Sequence, residues 1–149
     1  MNKPKLLPPS YFLNALLAIP ILHFLLPLLK IIPSPWNLPG IVFILAGIAI
    51  ELSADRLFHQ AGTTVVPYAE SKAMVTSGVF RFTRNPMYMG FTLILFGAAV
   101  LFGTLSPFLV IPFFMALIER RFIRTEEKML ELKFGQAYLD YKKKVRRWI

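Results

Sequence analysis

Two stretches of this 149-residue chain carry side chains whose types and spacing suit chemistry. The first is Arg84-Asn85-Pro86-Met87-Tyr88, which places a guanidinium, an amide and a phenol just ahead of a long uncharged run. At such a position Arg84 can hold a carboxylate by two points or snorkel toward lipid head groups. Asn85 and Pro86 also make a good helix start, because Asn accepts from free backbone N–H groups and Pro suits the first turn. Tyr88, one turn further on, fits a ligand site or an interfacial aromatic belt. The second stretch runs from Glu119 to Ile149. There Ile123, Glu127, Leu130, Phe134, Tyr138, Tyr141, Val145 and Trp148 recur at three- and four-residue spacing, which describes an amphipathic helix with a break at Gly135. At about 100° per residue, Glu126 and Glu127 straddle the line through Leu130 and border the apolar face. Carboxylates beside buried surface are costly unless paired or used. Ion pairs with Arg84, Arg120 or Arg124 are the structural alternative, and proton transfer or ligand binding the functional one.

Composition removes several other chemistries. There is no cysteine, so disulfides, thiolate metal sites and cysteine nucleophiles are excluded. His23 and His59 lie far apart, and no His-based metal cluster is visible. The net charge of +9 is carried by residues that flank apolar segments, which points to anionic lipid head groups and not to nucleic acid. The run Lys142-Lys143-Lys144-Val145-Arg146-Arg147 reads as such a lipid-surface patch.

The elements that must position these residues are hydrophobic helices. Apolar residues make up 56% of the chain, with 14 Phe and a mean hydropathy of +0.57, more than a soluble core this small can hide. The expectation is an all-α, polytopic membrane bundle forming one domain over residues 1–149. Four spans are predicted, at about 11–29, 38–54, 86–102 and 106–123. Pro20 and Pro27 should kink the first, and the proline-rich stretch 31–39 connects it to the second. From Asn85 to Ile118 no residue is charged, and Gly103-Thr104-Leu105-Ser106-Pro107 breaks that stretch into a hairpin. A cytoplasmic loop occupies 55–85, and an amphipathic cytoplasmic segment occupies 124–149. The N-terminus has no convincing cleavage site and reads as an uncleaved anchor.

Charge then orients the bundle. Lys3, Lys5, Arg56, Lys72, Arg81, Arg84 and the basic residues from Arg120 to Arg147 all fall on one side of a four-span chain, leaving Lys30 on the other. The positive-inside rule makes that side, and both termini, cytoplasmic. Gly40 and Gly47 in the second span, and Gly90 and Gly97 in the third, share a seven-residue spacing that permits close helix approach.

Taken together, Gly62-Thr63-Thr64-Val65-Val66-Pro67, Thr76-Ser77-Gly78, Arg84-Asn85-Pro86-Met87-Tyr88-Met89-Gly90, Glu126-Glu127 and Phe134-Gly135-Gln136-Ala137-Tyr138-Leu139-Asp140-Tyr141 resemble the isoprenylcysteine carboxyl methyltransferase and phospholipid methyltransferase superfamily. The resemblance covers Gly62 to Trp148. It implies S-adenosylmethionine as methyl donor, bound at the cytoplasmic helix ends and enclosed by the C-terminal segment. By the same resemblance, Arg84, Asn85, Pro86, Tyr88, Glu126 and Glu127 help form the cofactor site, and Tyr138 and Tyr141 close it. A multi-pass protein of a prokaryotic plasma membrane is expected. Asn85 stands where the eukaryotic isoprenylcysteine enzymes usually have His, and Phe80 where Tyr is frequent. Asn cannot titrate near neutral pH, which weighs against an isoprenylcysteine substrate and for another small or lipophilic acceptor.

In that reading Arg84 and Glu127 are the leading catalytic candidates. Arg84 engages a carboxylate, and Glu126 or Glu127 meets the donor's amino or ribose groups or takes a proton from an amine acceptor. Two rivals stand beside it. Membrane sterol reductases, which use a reduced nicotinamide phosphate, share a similar C-terminal pattern. A non-enzymatic lipid-binding or assembly protein would need Arg84 and the Glu pair for structure alone.

Overall fold

The computed structural model describes residues 7–63 and 73–149. Lys3, Lys5, Lys72 and residues 64–67 of the Gly62–Pro67 motif lie outside them. The described residues are all-α: α1 Pro8–Leu25, α2 Gly40–Gln60, α3 Pro86–Phe102, α4 Leu105–Phe108, α5 Val110–Ile118, α6 Arg124–Phe134 and α7 Gln136–Lys144. A 3₁₀ turn at Gly78–Arg81 precedes α3, and a π-type turn at Glu119–Ile123 joins α5 to α6.

Local chemistry explains most boundaries. The helix α1 runs through Pro20 and stops at Leu25, four residues before the predicted end. Leu26 precedes Pro27 and leaves the helical region (φ −137°, ψ 64°), as ring crowding on the preceding residue requires. The helix α2 extends six residues beyond the expected Ala54, because Asp55 and Arg56 are no obstacle to a helix. It ends where Gly62 turns to φ +62°. The helix α3 has the predicted bounds and closes on Gly103 at φ +71°. The segment predicted as one span over 106–123 is subdivided into α4, α5 and the π turn. Pro112 has no N–H and crowds the carbonyl four residues back, that of Phe108, where α4 stops. Of the described helices α1 is long and apolar enough to cross a membrane (mean hydropathy 1.3), and α3 is a shorter apolar helix of 17 residues.

The core lies among α1, α3, α5 and the π turn, where Ile19, Tyr88, Leu95, Ala98, Val110, Phe114, Ile118, Phe122 and Ile123 pack together. Helix α2 covers the other side of α3. Their glycines meet in pairs. A Cβ on Gly47 would sit 2.6 Å from the Gly90 carbonyl oxygen, and one on Gly90 would sit 2.9 Å from that of Gly47. Gly40 and Gly97 oppose each other more tightly still. The seven-residue spacing therefore sets the α2–α3 approach. Away from the core, α1 and α2 turn large apolar side chains outward, among them Leu17 (62% exposed) and Leu45 (60%).

The Gly103 end of α3 is tied by a set of hydrogen bonds. The Gly103 carbonyl accepts from the N–H of Ile31 and of Ile32, and the Leu105 N–H donates to Leu29. His23 Nδ1 and the Thr104 hydroxyl share a 2.8 Å hydrogen bond. Asn37 Nδ2 donates to the Leu101 carbonyl, and the Ser106 hydroxyl donates to that of Leu22.

Candidate active site

At its other end α3 begins with Pro86 in the first turn, as predicted, but Asn85 does not cap it. The Asn85 amide Nδ2 instead donates to the Arg147 carbonyl (3.1 Å). Thr83 Oγ1 donates to the same carbonyl (3.0 Å) and accepts from the Asn85 N–H (3.2 Å). The Arg84 N–H donates to the Arg146 carbonyl (3.0 Å). Two side chains and one N–H of Thr83–Asn85 are thus clasped to the backbone carbonyls of Arg146 and Arg147. Asn85 thus uses its amide as a donor to the clasp and not its Oδ1 as an acceptor for the helix N–H groups.

The clasp turns the Arg84 side chain inward, where it is 8% exposed. Its Nη2 lies 3.2 Å from Glu127 Oε1, while Nε and Nη1 are buried without a hydrogen-bond partner. Glu127 is buried too, and it takes two further bonds from Arg147: Nε to Oε1 at 3.0 Å and Nη2 to Oε2 at 2.7 Å. The remaining Arg147 nitrogen, Nη1, donates to Glu119 Oε1 (2.9 Å), and Arg124 also donates to that carboxylate. Of the three partners predicted for the Glu pair, Arg84 is found on Glu127 and Arg124 pairs with Glu119.

Glu126 faces a different environment. The Tyr88 hydroxyl donates to its Oε1 at 2.8 Å. Burial pushes the Glu126 carboxyl up to about 7, with the Tyr88 bond pulling it down and the neighbouring Glu127 charge adding to the rise. Adjacent residues on one helix therefore differ sharply. Glu127 is fixed between two guanidinium groups, and Glu126 is pushed up to about 7 with a phenol beside it, so both of its protonation states are accessible near physiological pH.

The C-terminal helices complete the surroundings. Gly135 adopts φ +52°, a conformation that separates α6 from α7 where the sequence placed a break. Tyr138 of α7 is 1% exposed and its hydroxyl has no partner. Burial, and then the Glu127 charge, hold that hydroxyl well above the usual tyrosine range. Tyr141 donates to the Phe80 carbonyl (2.7 Å), and burial pushes its hydroxyl up to about 12. Arg84, Glu127 and Tyr138 come together in this way, Tyr88 and Glu126 form a pair, and Asn85 and Tyr141 bind backbone carbonyls. Pro86 is buried as the first turn of α3.

Residues 36–137 match the family model described as "Phospholipid methyltransferase". The chain belongs to the phospholipid methyltransferase family. Relatives in this methyltransferase family and beyond it share parts of the sequence. Protein-S-isoprenylcysteine O-methyltransferase of Schizosaccharomyces pombe is 29% identical over 120 residues, 79% of this chain and 51% of that protein. A Delta(14)-sterol reductase of Mus musculus is 30% identical over 87 residues, 57% of this chain and 21% of the reductase. The fold is that of a eukaryotic intramembrane Ras methyltransferase, isoprenylcysteine carboxyl methyltransferase, whose solved structure matches with a TM-score of 0.71 at 24% identity. That match covers 95% of this chain and 51% of the other. The chain thus spans about half the length of the methyltransferases it matches.

Sequence reasoning missed Thr83, Glu119 and above all Arg147, which had been assigned to a lipid-facing basic run. Lys142 and Lys143 of that run pair with Glu131 and Asp140, while Arg147 points inward to the Glu127 carboxylate. The available signal was Val145 and Trp148, both on the apolar positions of the helical series. They pack inward on either side of Arg147, Val145 buried and Trp148 against the core.

Proposed function

We propose that this protein is an integral membrane methyltransferase that uses S-adenosylmethionine and acts on a small or lipophilic acceptor. The reading rests on one observation: buried hydrogen-bonding capacity left over at Arg84 Nε and Nη1 and at the Tyr138 hydroxyl. Leaving donors buried and unbonded is unfavourable by about 1–3 kcal/mol per group, more when charged, unless a ligand meets them. A donor with a carboxylate, an ammonium and hydroxyl groups suits this set. Arg84 would hold the carboxylate, and Glu126 the ammonium or the ribose hydroxyls, with Tyr138 adding a hydrogen bond. Bound S-adenosylmethionine supplies an activated methyl group on a sulfonium.

The chain's own task is then to position and to exclude water. Arg84, Tyr88 and Tyr138 are held by buried contacts on three different elements, which suits orienting a ligand at one helix end. An ionised acceptor needs no base from the protein. A protonated amine would pass its proton to the ionised form of Glu126, whose carboxyl is pushed up to about 7 and becomes the neutral acid, and not to Glu127, which is committed to two arginines. Asn85 has no titrating group, and its amide is engaged by the C-terminal carbonyl. This supports an acceptor other than a prenylated protein terminus.

The outward apolar faces of α1 and α2 suit lipid contact, with four spans, both termini cytoplasmic and exposed Lys128, Lys133, Lys144 and Arg146 near anionic head groups. Reporter fusions at residue 149 and near Ser34 should report opposite sides.

Isothermal titration of detergent-purified protein with S-adenosylmethionine, its demethylated product and reduced nicotinamide phosphate tests the cofactor. Binding of the first two is expected, and binding of the nicotinamide alone would favour the reductase reading. Arg84→Lys should weaken donor affinity roughly ten- to a hundredfold, the loss of about 1.5–3 kcal/mol of charged hydrogen bonding. Methyl transfer from labelled donor to a prenylcysteine analogue, a lipid extract and a soluble metabolite pool tests the acceptor. Labelling of the prenylcysteine analogue alone would overturn that part of the reading.

A further inference from the structure

We propose that Arg147 is a positioning residue: by occupying both oxygens of Glu127 it keeps the Arg84 guanidinium open for an anionic group of the ligand. This inference rests on the donor-binding reading above.

A guanidinium and a carboxylate alone in a buried site close into a two-point pair, with two N–H groups on two oxygens. Arg84 and Glu127 do not. Arg147 holds the two-point position, through Nε to Oε1 and Nη2 to Oε2. Arg84 is left with one longer contact at 3.2 Å, so its Nε and Nη1 remain unpaired. The arrangement puts three donors on one carboxylate and leaves two donors over on the more deeply buried arginine.

Arg147 is itself fixed from several directions. Its third nitrogen is bound by Glu119, whose charge balances the second guanidinium. Its carbonyl accepts from Thr83 and Asn85, and the carbonyl before it accepts from the Arg84 N–H. Trp148 packs against the core next to it. The same clasp that turns Arg84 inward therefore delivers the group that prevents Arg84 from closing on Glu127. The sequence motif around Arg84 contains half of the device, and the last five residues contain the other half.

The expected consequence of Arg147→Ala is closure, not collapse. Glu127 retains Arg84, and Glu119 retains Arg124. Arg84 would swing its free nitrogens onto the vacated Glu127 oxygen and lose them to the ligand. Arg84→Ala, conversely, leaves the two-point Arg147–Glu127 pair intact, so both single variants keep a partner for the buried carboxylate.

The test is a double-mutant cycle read by titration of S-adenosylhomocysteine into wild type, Arg147→Ala, Arg84→Ala and the double variant. Arg147→Ala should weaken binding roughly tenfold, about 1.4 kcal/mol, in the presence of Arg84 and have almost no further effect in its absence. Arg147→Lys, a point charge that cannot span two oxygens, should fall between. Unchanged affinity in Arg147→Ala, or an equal loss in both backgrounds, overturns the proposal. A second readout needs no ligand. The guanidinium Nε–H resonance of Arg84 in arginine-labelled protein, assigned by its disappearance in Arg84→Ala, should move downfield and exchange more slowly with solvent in Arg147→Ala. If wild type binds no S-adenosylhomocysteine, the donor reading fails, and this resonance still decides the geometry: an unmoved signal would refute the role of Arg147.

Discussion

The two ends of α3 solve one problem differently. Both bury polar groups between helices. At the Gly103 end the groups are a histidine, a threonine, a serine, an asparagine and backbone amides, most of them joined to a main-chain carbonyl or to each other, with Asn37 Oδ1 buried and unpartnered. At the Asn85 end they are two arginines and three glutamates, and the accounting leaves Arg84 Nε and Nη1 over. Polar groups that mostly satisfy one another hold a turn in place at modest cost, even with one amide oxygen left over. Buried charges are unfavourable unless fully compensated, and an arginine with free donors is not. Each end leaves polar atoms over, and the two differ in that the leftover atoms at the Asn85 end belong to a guanidinium.

Three changes probe that contrast, in order of expected effect. Glu127→Gln removes the one negative charge between Arg84 and Arg147. Breaking a buried pair in this way should lower stability by about 3–5 kcal/mol, seen as a large drop in the melting temperature of the detergent-solubilised protein. A drop no larger than that of a surface substitution would mean that the cluster is more hydrated than its burial indicates. Glu126→Gln comes next. The folded Glu126 carboxyl is held near 7 against an ordinary 4.5, so the folded state keeps its proton more tightly than the unfolded state does. Wild-type stability should therefore fall as pH rises from about 4.5 to about 7 and level off above that. The size should be on the order of 1–2 kcal/mol, allowing for partial exposure. Glu126→Gln should flatten that slope, and an unaltered pH profile would place the titration elsewhere. Smallest is Thr104→Val at the opposite end. Loss of the bond to His23 should lower stability by about 0.5–1 kcal/mol and leave ligand affinity unchanged. A change in ligand affinity there would blur the distinction between the ends.

How much of this was legible in the sequence follows from the range of each interaction. The helix α3 came out with its predicted bounds because Pro86 and Gly103 are local signals. The paired glycines of α2 and α3 were legible as spacing, and their partnership needed the antiparallel packing. The subdivision of 106–123 was readable in Pro112 and passed over because the stretch is uniformly apolar. Glu126 and Glu127 were singled out correctly as bordering the apolar face. Their different fates depend on a rotation of about 100° against neighbours on other elements. Arg147 was concealed by company: five basic residues within the six from Lys142 suggest a solvated patch, and only the return of the chain to Thr83–Asn85 turns one of them inward.

The π-type turn at Glu119–Ile123 sets the phase of this end of the molecule. On an unbroken α-helix, residues eight apart are rotated by about 80°, which would leave Glu119 and Glu127 at opposite edges of one face. A turn that closes its hydrogen bonds five residues back rotates each residue by less, and the accumulated lag brings the two carboxylates round to one guanidinium. The turn acts as a vernier between two rulers: the apolar helix α5 before it keeps its own register, and α6 beyond it is re-indexed so that its acids fall in line. Deleting one residue between Glu119 and Ile123 would make the helix regular and set the two acids seven apart, about 20° from alignment, so Arg147 should keep both acids while everything before the turn shifts by one position.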